Sequence, residues 1–139
     1  MEYWRRGINC LIIIKRTIMK LKIEDLPVFF PFKGVYPEQV EYMRELKRTL
    51  DSPGHSILEM PTGTGKTVCL LSLIVSYLLA KEMPKKLIYC TRTVVEMEKT
   101  LEELKFLLSQ WEAELGEKPK LLAVCLSSRR NLCVHPVVS

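Results

Sequence analysis

Gly63-Thr64-Gly65-Lys66-Thr67 constrains this chain more than any other feature. Glycines at alternate positions let successive backbone N–H groups turn toward one point, where side chains would obstruct a bound phosphate. Lys66 has the reach and charge for β- and γ-phosphates, and the Thr67 hydroxyl is a ligand for Mg²⁺. Such a loop belongs between a strand and a helix whose N-terminal dipole favours an anion. Both flanks are present. Ser56 to Met60 reads as a short strand, and Val68 to Leu79 is apolar almost all round, as in a helix buried on most sides. The strict G-x-x-x-x-G-K-[ST] pattern asks for glycine at position 60, where this chain has Met60. Its strand-to-helix context outweighs that departure and the competing reading, a glycine-rich turn that binds nothing. The expected ATP site is Met60, Pro61, Thr62, Gly63, Thr64, Gly65, Lys66 and Thr67, with Lys66 and Thr67 as its catalytic pair.

The alternation around the loop extends in both directions. Met19 to Ile23 has period two, the pattern of a short strand. Pro37 suits the first turn of a helix whose apolar face is Val40, Met43, Leu46 and Leu50, and Asp51 to Gly54 ends it as a turn. Lys86 to Thr91 reads as a second core strand. Thr93 and Glu96 have capping-box spacing and open a long helix with Met97, Leu101, Leu104, Leu108, Trp111 and Leu115 on one stripe. Gly116 and Pro119 stop it, and Leu121 to Leu126 is a third core strand. Strand, loop, helix, strand, helix, strand predicts an α/β fold: a parallel sheet flanked by helices, with right-handed crossovers.

The 139 residues have room for one domain, and 47% hydrophobic with 27% charged residues is ordinary for a globular core. The net charge of +5 invites a nucleic-acid reading. More than half of it, however, comes from Arg5, Arg6, Lys15 and Arg16 against Glu2, so charge alone does not argue for DNA or RNA binding by the core. Residues 1–18 differ in composition from the rest and are expected to lie outside the folded core of 19–139. The five cysteines form no CxxC pair. Cys69, Cys90 and Cys125 lie in apolar runs, as reduced core cysteines of an intracellular protein do. No apolar run approaches the ~20 residues of a membrane span, so no membrane partner is expected.

Four further candidates stand beside the loop. Gln39, near a helix start, is either an adenine reader through its two-sided amide or a solvated glutamine. Thr91-Arg92-Thr93 sits where a strand ends and a helix begins, the usual ligand edge of open α/β sheets. It either holds a nucleic-acid phosphate or is a helix cap with a solvated arginine. Arg129 and Arg130 meet phosphate or form a surface pair. Cys133, in a polar setting with His135 as at most one more ligand, reads from chemistry alone as a free thiol.

Four blocks in order, YPEQVEYMRELKRTLD (Tyr36 to Asp51), LEMPTGTGKT (Leu58 to Thr67), LIYCTRTVVEMEKTLEELK (Leu87 to Lys105) and LSSRRNLCVHP (Leu126 to Pro136), resemble the XPD-type iron–sulfur DNA helicases of superfamily two, which include the TFIIH subunit. The resemblance spans essentially Met19 to Ser139. It implies a partial RecA-like P-loop motor lobe and explains Met60, because the family's loop looks like MPTGTGKT. It makes Gln39 the adenine-side glutamine and Thr91, Arg92 and Thr93 the DNA-contacting motif, with Arg129 beside them. Cys133 becomes the first of four cysteines that hold a [4Fe–4S] cluster. The implied activity is ATP-dependent 5′→3′ unwinding of DNA with Mg²⁺, in nucleotide excision repair and transcription initiation, within TFIIH-type complexes of the nucleus.

In that family the other three cluster cysteines, the Asp-Glu-Ala-His segment, the arch and the second motor lobe would lie beyond Ser139. The chain is therefore expected to be a truncated ATP-binding portion without useful turnover by itself. Glu24-Asp25 is no stand-in for the missing acids, since it precedes the loop in the wrong order. The alternatives are a non-catalytic fragment that docks on helicase partners and an unrelated P-loop NTPase.

Overall fold

The computed structural model describes residues 19–52, 54–80, 86–128 and 132. The expectations for residues 1–18, Arg129, Arg130 and Cys133 lie outside these. β1 (Met19–Ile23) and β2 (Leu26–Phe30) form an antiparallel hairpin, with Met19 opposite Phe30 and Ile23 opposite Leu26. β1 follows from its alternation. β2 is less legible because Pro27 interrupts it, yet proline is tolerated where a strand has a free edge. Leu26, Val28 and Phe30 all point into the core.

α1 (Pro37–Asp51) begins at the expected proline and buries Met43 against the hairpin and α2 (Lys66–Ala80). α2 explains its own composition. Cys69, Leu73 and Tyr77 join the hairpin and α1 in one core, while Leu71 and Val75 join Leu107 and Trp111 of α3 (Val94–Leu115) in another. A helix with apolar partners on both sides needs no polar face. Phe29 ties the two cores: its N–H donates to Ser76 Oγ at 3.2 Å and its ring lies 4.0 Å from that of Trp111.

α3 has the expected ends, with one difference. Thr93 Oγ1 accepts from Glu96 N–H at 3.2 Å, but the Glu96 carboxylate accepts from Arg92 N–H, also at 3.2 Å. One half of the capping box forms and the other is displaced by one residue. Gly116 closes the helix at φ 73°, donating its N–H to Glu112 O at 2.9 Å. That left-handed conformation is the reason for glycine there.

The expected parallel sheet requires correction. Among the described residues the one sheet is the two-stranded antiparallel hairpin, and Ser56–Met60, Lys86–Thr91 and Leu121–Leu126 form no strand. Apolar content and β-branching favour a strand but do not supply the neighbour whose N–H and C=O groups must complete it. Ile57, Ile88 and Leu122 are 99%, 86% and 90% exposed. Consequently Met97, Leu101 and Leu104 of α3 face a groove of about 970 Å³ that the second and third of these segments line, rather than a closed core. The architecture of the described residues is a mixed α/β arrangement of a hairpin and three helices.

The cysteines are corrected with it. Cys69 is fully buried, Cys90 is exposed and Cys125 is half-buried. Burial pushes the Cys69 thiol up to about 11. At pH 8, iodoacetamide should therefore alkylate Cys90 about a hundredfold faster than Cys69, since the thiolate is the nucleophile. Mass-spectrometric time courses on the native chain measure this; equal rates would contradict the packing of α2.

The turn between β1 and β2 is fastened to α1. Lys47, only 4% exposed, donates to Asp25 Oδ1 and Asp51 Oδ2 at 2.5 Å each and to Glu24 Oε2 at 3.3 Å. Arg48 Nε adds a 3.0 Å bond to Glu24 Oε1. Asp25 first, then Asp51 and Glu24, hold the Lys47 ammonium well above its ordinary range. Glu24-Asp25 thus serves a structural knot remote in sequence from the glycine-rich loop. Asp51 also accepts from Tyr77 Oη at 3.0 Å, which brings α2 into the same network.

Candidate nucleotide site

The loop enters from Met60, whose side chain is 5% exposed and packs in the core with Leu26, Val28 and Met43. Glycine at this position would forgo that anchor. Gly63 and Gly65 adopt φ of 81° and 76°, left-handed values that side chains strain to reach. The alternation of glycines therefore has its expected cause. Lys66 opens α2, and Thr67 stands in its first turn, so free N–H groups and the positive helix end meet at the loop.

Three side chains hold the loop by its carbonyls. Lys66 Nζ donates to Met60 O at 2.5 Å and Pro61 O at 3.0 Å. Thr64 Oγ1 donates to Pro61 O at 2.6 Å. Gln39 Nε2 reaches across from α1 to Thr64 O at 2.8 Å, while its Oε1 accepts from Tyr36 N–H at 2.9 Å. Gln39 is 7% exposed and so is not a solvated glutamine. A β-carbon on residue 65 would come within 3.2 Å of Gln39 Nε2, a second reason for glycine there. Sequence reasoning placed Gln39 at the site but missed its bond to the loop and the part played by Tyr36. The three-residue spacing of Tyr36 and Gln39 across a helix start was the available signal.

Thr91, Arg92 and Thr93 gather at the start of α3. Thr91 Oγ1 donates to Thr93 O at 3.0 Å, and the Arg92 guanidinium, 90% exposed, pairs with Glu96 at 3.3 Å. This end offers the exposed Arg92 guanidinium and the first turn of a helix to solvent. The chemistry suits a phosphate oxygen from a large ligand.

The residues present fit a nucleoside triphosphate: a left-handed glycine pair, a lysine and a hydroxyl converge at a helix N-terminus. The described residues offer nothing comparable for an iron–sulfur cluster, and Cys133 lies outside them. Among the described residues, three potential ligand groups converge only at Glu24, Asp25 and Asp51, where Lys47 is already the cation.

The chain is similar to known proteins over most of its length. The DEAD_2 family model matches residues 89–139. Over 121 residues the chain is 61% identical to the general transcription and DNA repair factor IIH helicase subunit XPD of Arabidopsis thaliana, covering 86% of this chain and 16% of that protein. The corresponding subunit of Schizosaccharomyces pombe is 52% identical over 120 residues, with the same 86% and 16% coverage. The regulator of telomere elongation helicase 1 homolog of Drosophila ananassae is 29% identical over 157 residues, covering 84% of this chain and 15% of that protein. The chain thus spans about 16% of the length of the XPD relatives it matches. With identity of 52–61% over most of its length, this chain is a homologue of the XPD-type helicase subunits, matching one part of them.

Proposed function

We propose that this chain is the ATP-binding portion of an ATP-dependent 5′→3′ DNA helicase subunit. The observation that carries the reading is the loop from Met60 to Thr67, in a chain so similar to XPD subunits. Gly63, Gly65 and the start of α2 present N–H groups to the triphosphate. Lys66 turns from the Met60 and Pro61 carbonyls to the β- and γ-phosphates, and Thr67 ligates Mg²⁺. Gln39 completes the nucleotide site from α1. Thr91, Arg92 and Thr93, together with Arg129, take the phosphates of single-stranded DNA. In the complete protein Cys133 supplies one of four thiolates to a [4Fe–4S] cluster. The relatives are named for transcription and DNA repair factor IIH, and we assign this chain to the same work: excision repair and transcription initiation, among TFIIH-type subunits in the nucleus.

A graft tests the reading. Residues 19–139 replace the matching segment of the Arabidopsis thaliana subunit, and ATP hydrolysis is measured with and without single-stranded DNA. DNA-stimulated turnover within about tenfold of the parent is expected, and Lys66→Ala in the graft should abolish it. A graft that folds and binds DNA but does not hydrolyse ATP would refute the assignment.

A further inference from the structure

Leu122, Val124 and Leu126 are 90%, 69% and 78% exposed, whereas their neighbours Leu121 and Cys125 are half-buried. Leu121 packs beside Trp111 and Leu107. The segment is therefore apolar on its covered side and on its open side, the composition of a strand enclosed on both faces. Among the described residues no ladder forms along it.

The hairpin shows how this chain guards strands that do have free edges. β1 carries the exposed lysines Lys20 and Lys22, and β2 carries Pro27. Lysine and proline at an edge discourage pairing with another chain. Leu121 to Leu126 has neither a charge nor a proline. Six uncharged, largely branched residues without proline are what strand pairing between chains requires.

The order of the exposed residues selects the occupant. Leu122, Val124 and Leu126 read the same in both directions, so an antiparallel copy presents the same apolar face in return. Residues directly opposite in an antiparallel pair share a face and touch. With a twofold axis at Val124, Leu122 meets Leu126 of the second copy, Val124 meets its own counterpart, and Leu126 meets Leu122. Lys120 then falls opposite Ser128, so no like charges confront each other. Such an interface is isologous and closes at two copies. Leu87, Ile88 and Tyr89 line the same groove and are also exposed. Together these six side chains offer on the order of 500 Å² of apolar surface per copy. Two copies would bury about 1,000 Å², the lower limit for a specific interface.

We propose that this chain associates with a second copy of itself through an antiparallel ladder of residues 120–128 centred on Val124. Its small area makes the dimer a reversible one, with a dissociation constant of about 10–50 µM.

Sedimentation of the full chain from about 2 to 200 µM tests this, with a phosphine reductant so that Cys90 and Cys125 stay thiols. The mass should rise with concentration from one chain to two and stop there. Val124→Lys sets two ammonium groups opposite each other and should weaken the dimer at least about tenfold. Leu122→Lys alone should also weaken it about tenfold, because a change in an isologous interface acts twice. Adding Leu126→Glu to that variant should restore association, since the lysine of each copy then faces the glutamate of the other. Circular dichroism verifies that the variants keep their helices, which the exposure of these positions favours. A readout that needs no variant is amide exchange, which should slow at residues 121–127 as the wild-type concentration rises. A chain that stays monomeric at 200 µM, grows beyond two copies, or shows no such protection would overturn the proposal. So would a dimer that survives V124K, or a double variant weaker than L122K alone, which would mark unspecific apolar association.

Discussion

Lys66→Ala is expected to weaken binding of Mg²⁺–ATP by about a hundredfold, the largest effect of any single change in the loop. A hydrogen bond to a charged group contributes roughly 1.5–3 kcal/mol, and the ammonium at position 66 stands to make such bonds to more than one phosphate oxygen. The fold should survive the change. Lys66 is at the first position of α2, half-buried, and its bonds to the Met60 and Pro61 carbonyls are partly solvated. Titration calorimetry against the wild-type chain, with thermal melts of both proteins in the absence of nucleotide, separates the two effects. A variant that binds ATP within about threefold of wild type would show that Lys66 serves the loop's own carbonyls and not a phosphate.

Lys47→Met should cost about 2 kcal/mol of stability and lower the melting midpoint by roughly 8 °C. The ammonium is buried, whereas Glu24, Asp25 and Asp51 each keep contact with water. The loss is therefore smaller than the ~3–5 kcal/mol of a fully enclosed pair, because the carboxylates left behind can be hydrated. The sign of the pH dependence follows from the network. Arg48 first, and Lys47 after it, hold the Glu24 carboxyl below its ordinary 4.5. A depressed carboxyl contributes stability above its unfolded value and loses it as pH falls through the folded one. Lys47, held high, keeps its contribution until strongly alkaline pH. The gap between wild type and variant should accordingly be full near neutral pH and narrow below about pH 4.5. Urea melts at pH 7 and pH 3.5 measure it, and a gap that does not change between them would contradict the ion-pair account.

Local structure was largely legible, and the reasons lie in particular residues. Pro37, Thr93 and Gly116 mark helix ends through backbone chemistry that depends on near neighbours alone. The same holds for the glycine pair of the loop. β2 escaped notice because Pro27 masks its alternation, although Leu26, Val28 and Phe30 have the right period. The parallel sheet failed for a different reason. Ile57, Ile88 and Leu122 have the composition of core strands, but a ladder is a relation between segments, and composition cannot supply the partner. At the site, the residue types and their order were readable, whereas the Gln39–Thr64 bond spans 25 positions and belongs to the packing of α1 on α2. At Lys47 the i,i+4 partner Asp51 is local, whereas nothing nearby in sequence announces that Glu24 and Asp25 of the hairpin turn will meet the same ammonium.

α1 is joined to α2 near both ends: at the start by Gln39 to Thr64, and at the finish by Asp51 and the Leu50 carbonyl to Tyr77 Oη, at 3.0 and 3.2 Å. Two rods pinned at two points cannot slide or splay independently, and at 15 residues each they run about 22 Å. They form a truss with the loop from Met60 to Thr67 at one end and the Lys47 knot, which carries the hairpin turn, at the other. The loop and the hairpin turn are thus held at opposite ends of one frame, joined through side-chain hydrogen bonds and ion pairs rather than through a shared sheet.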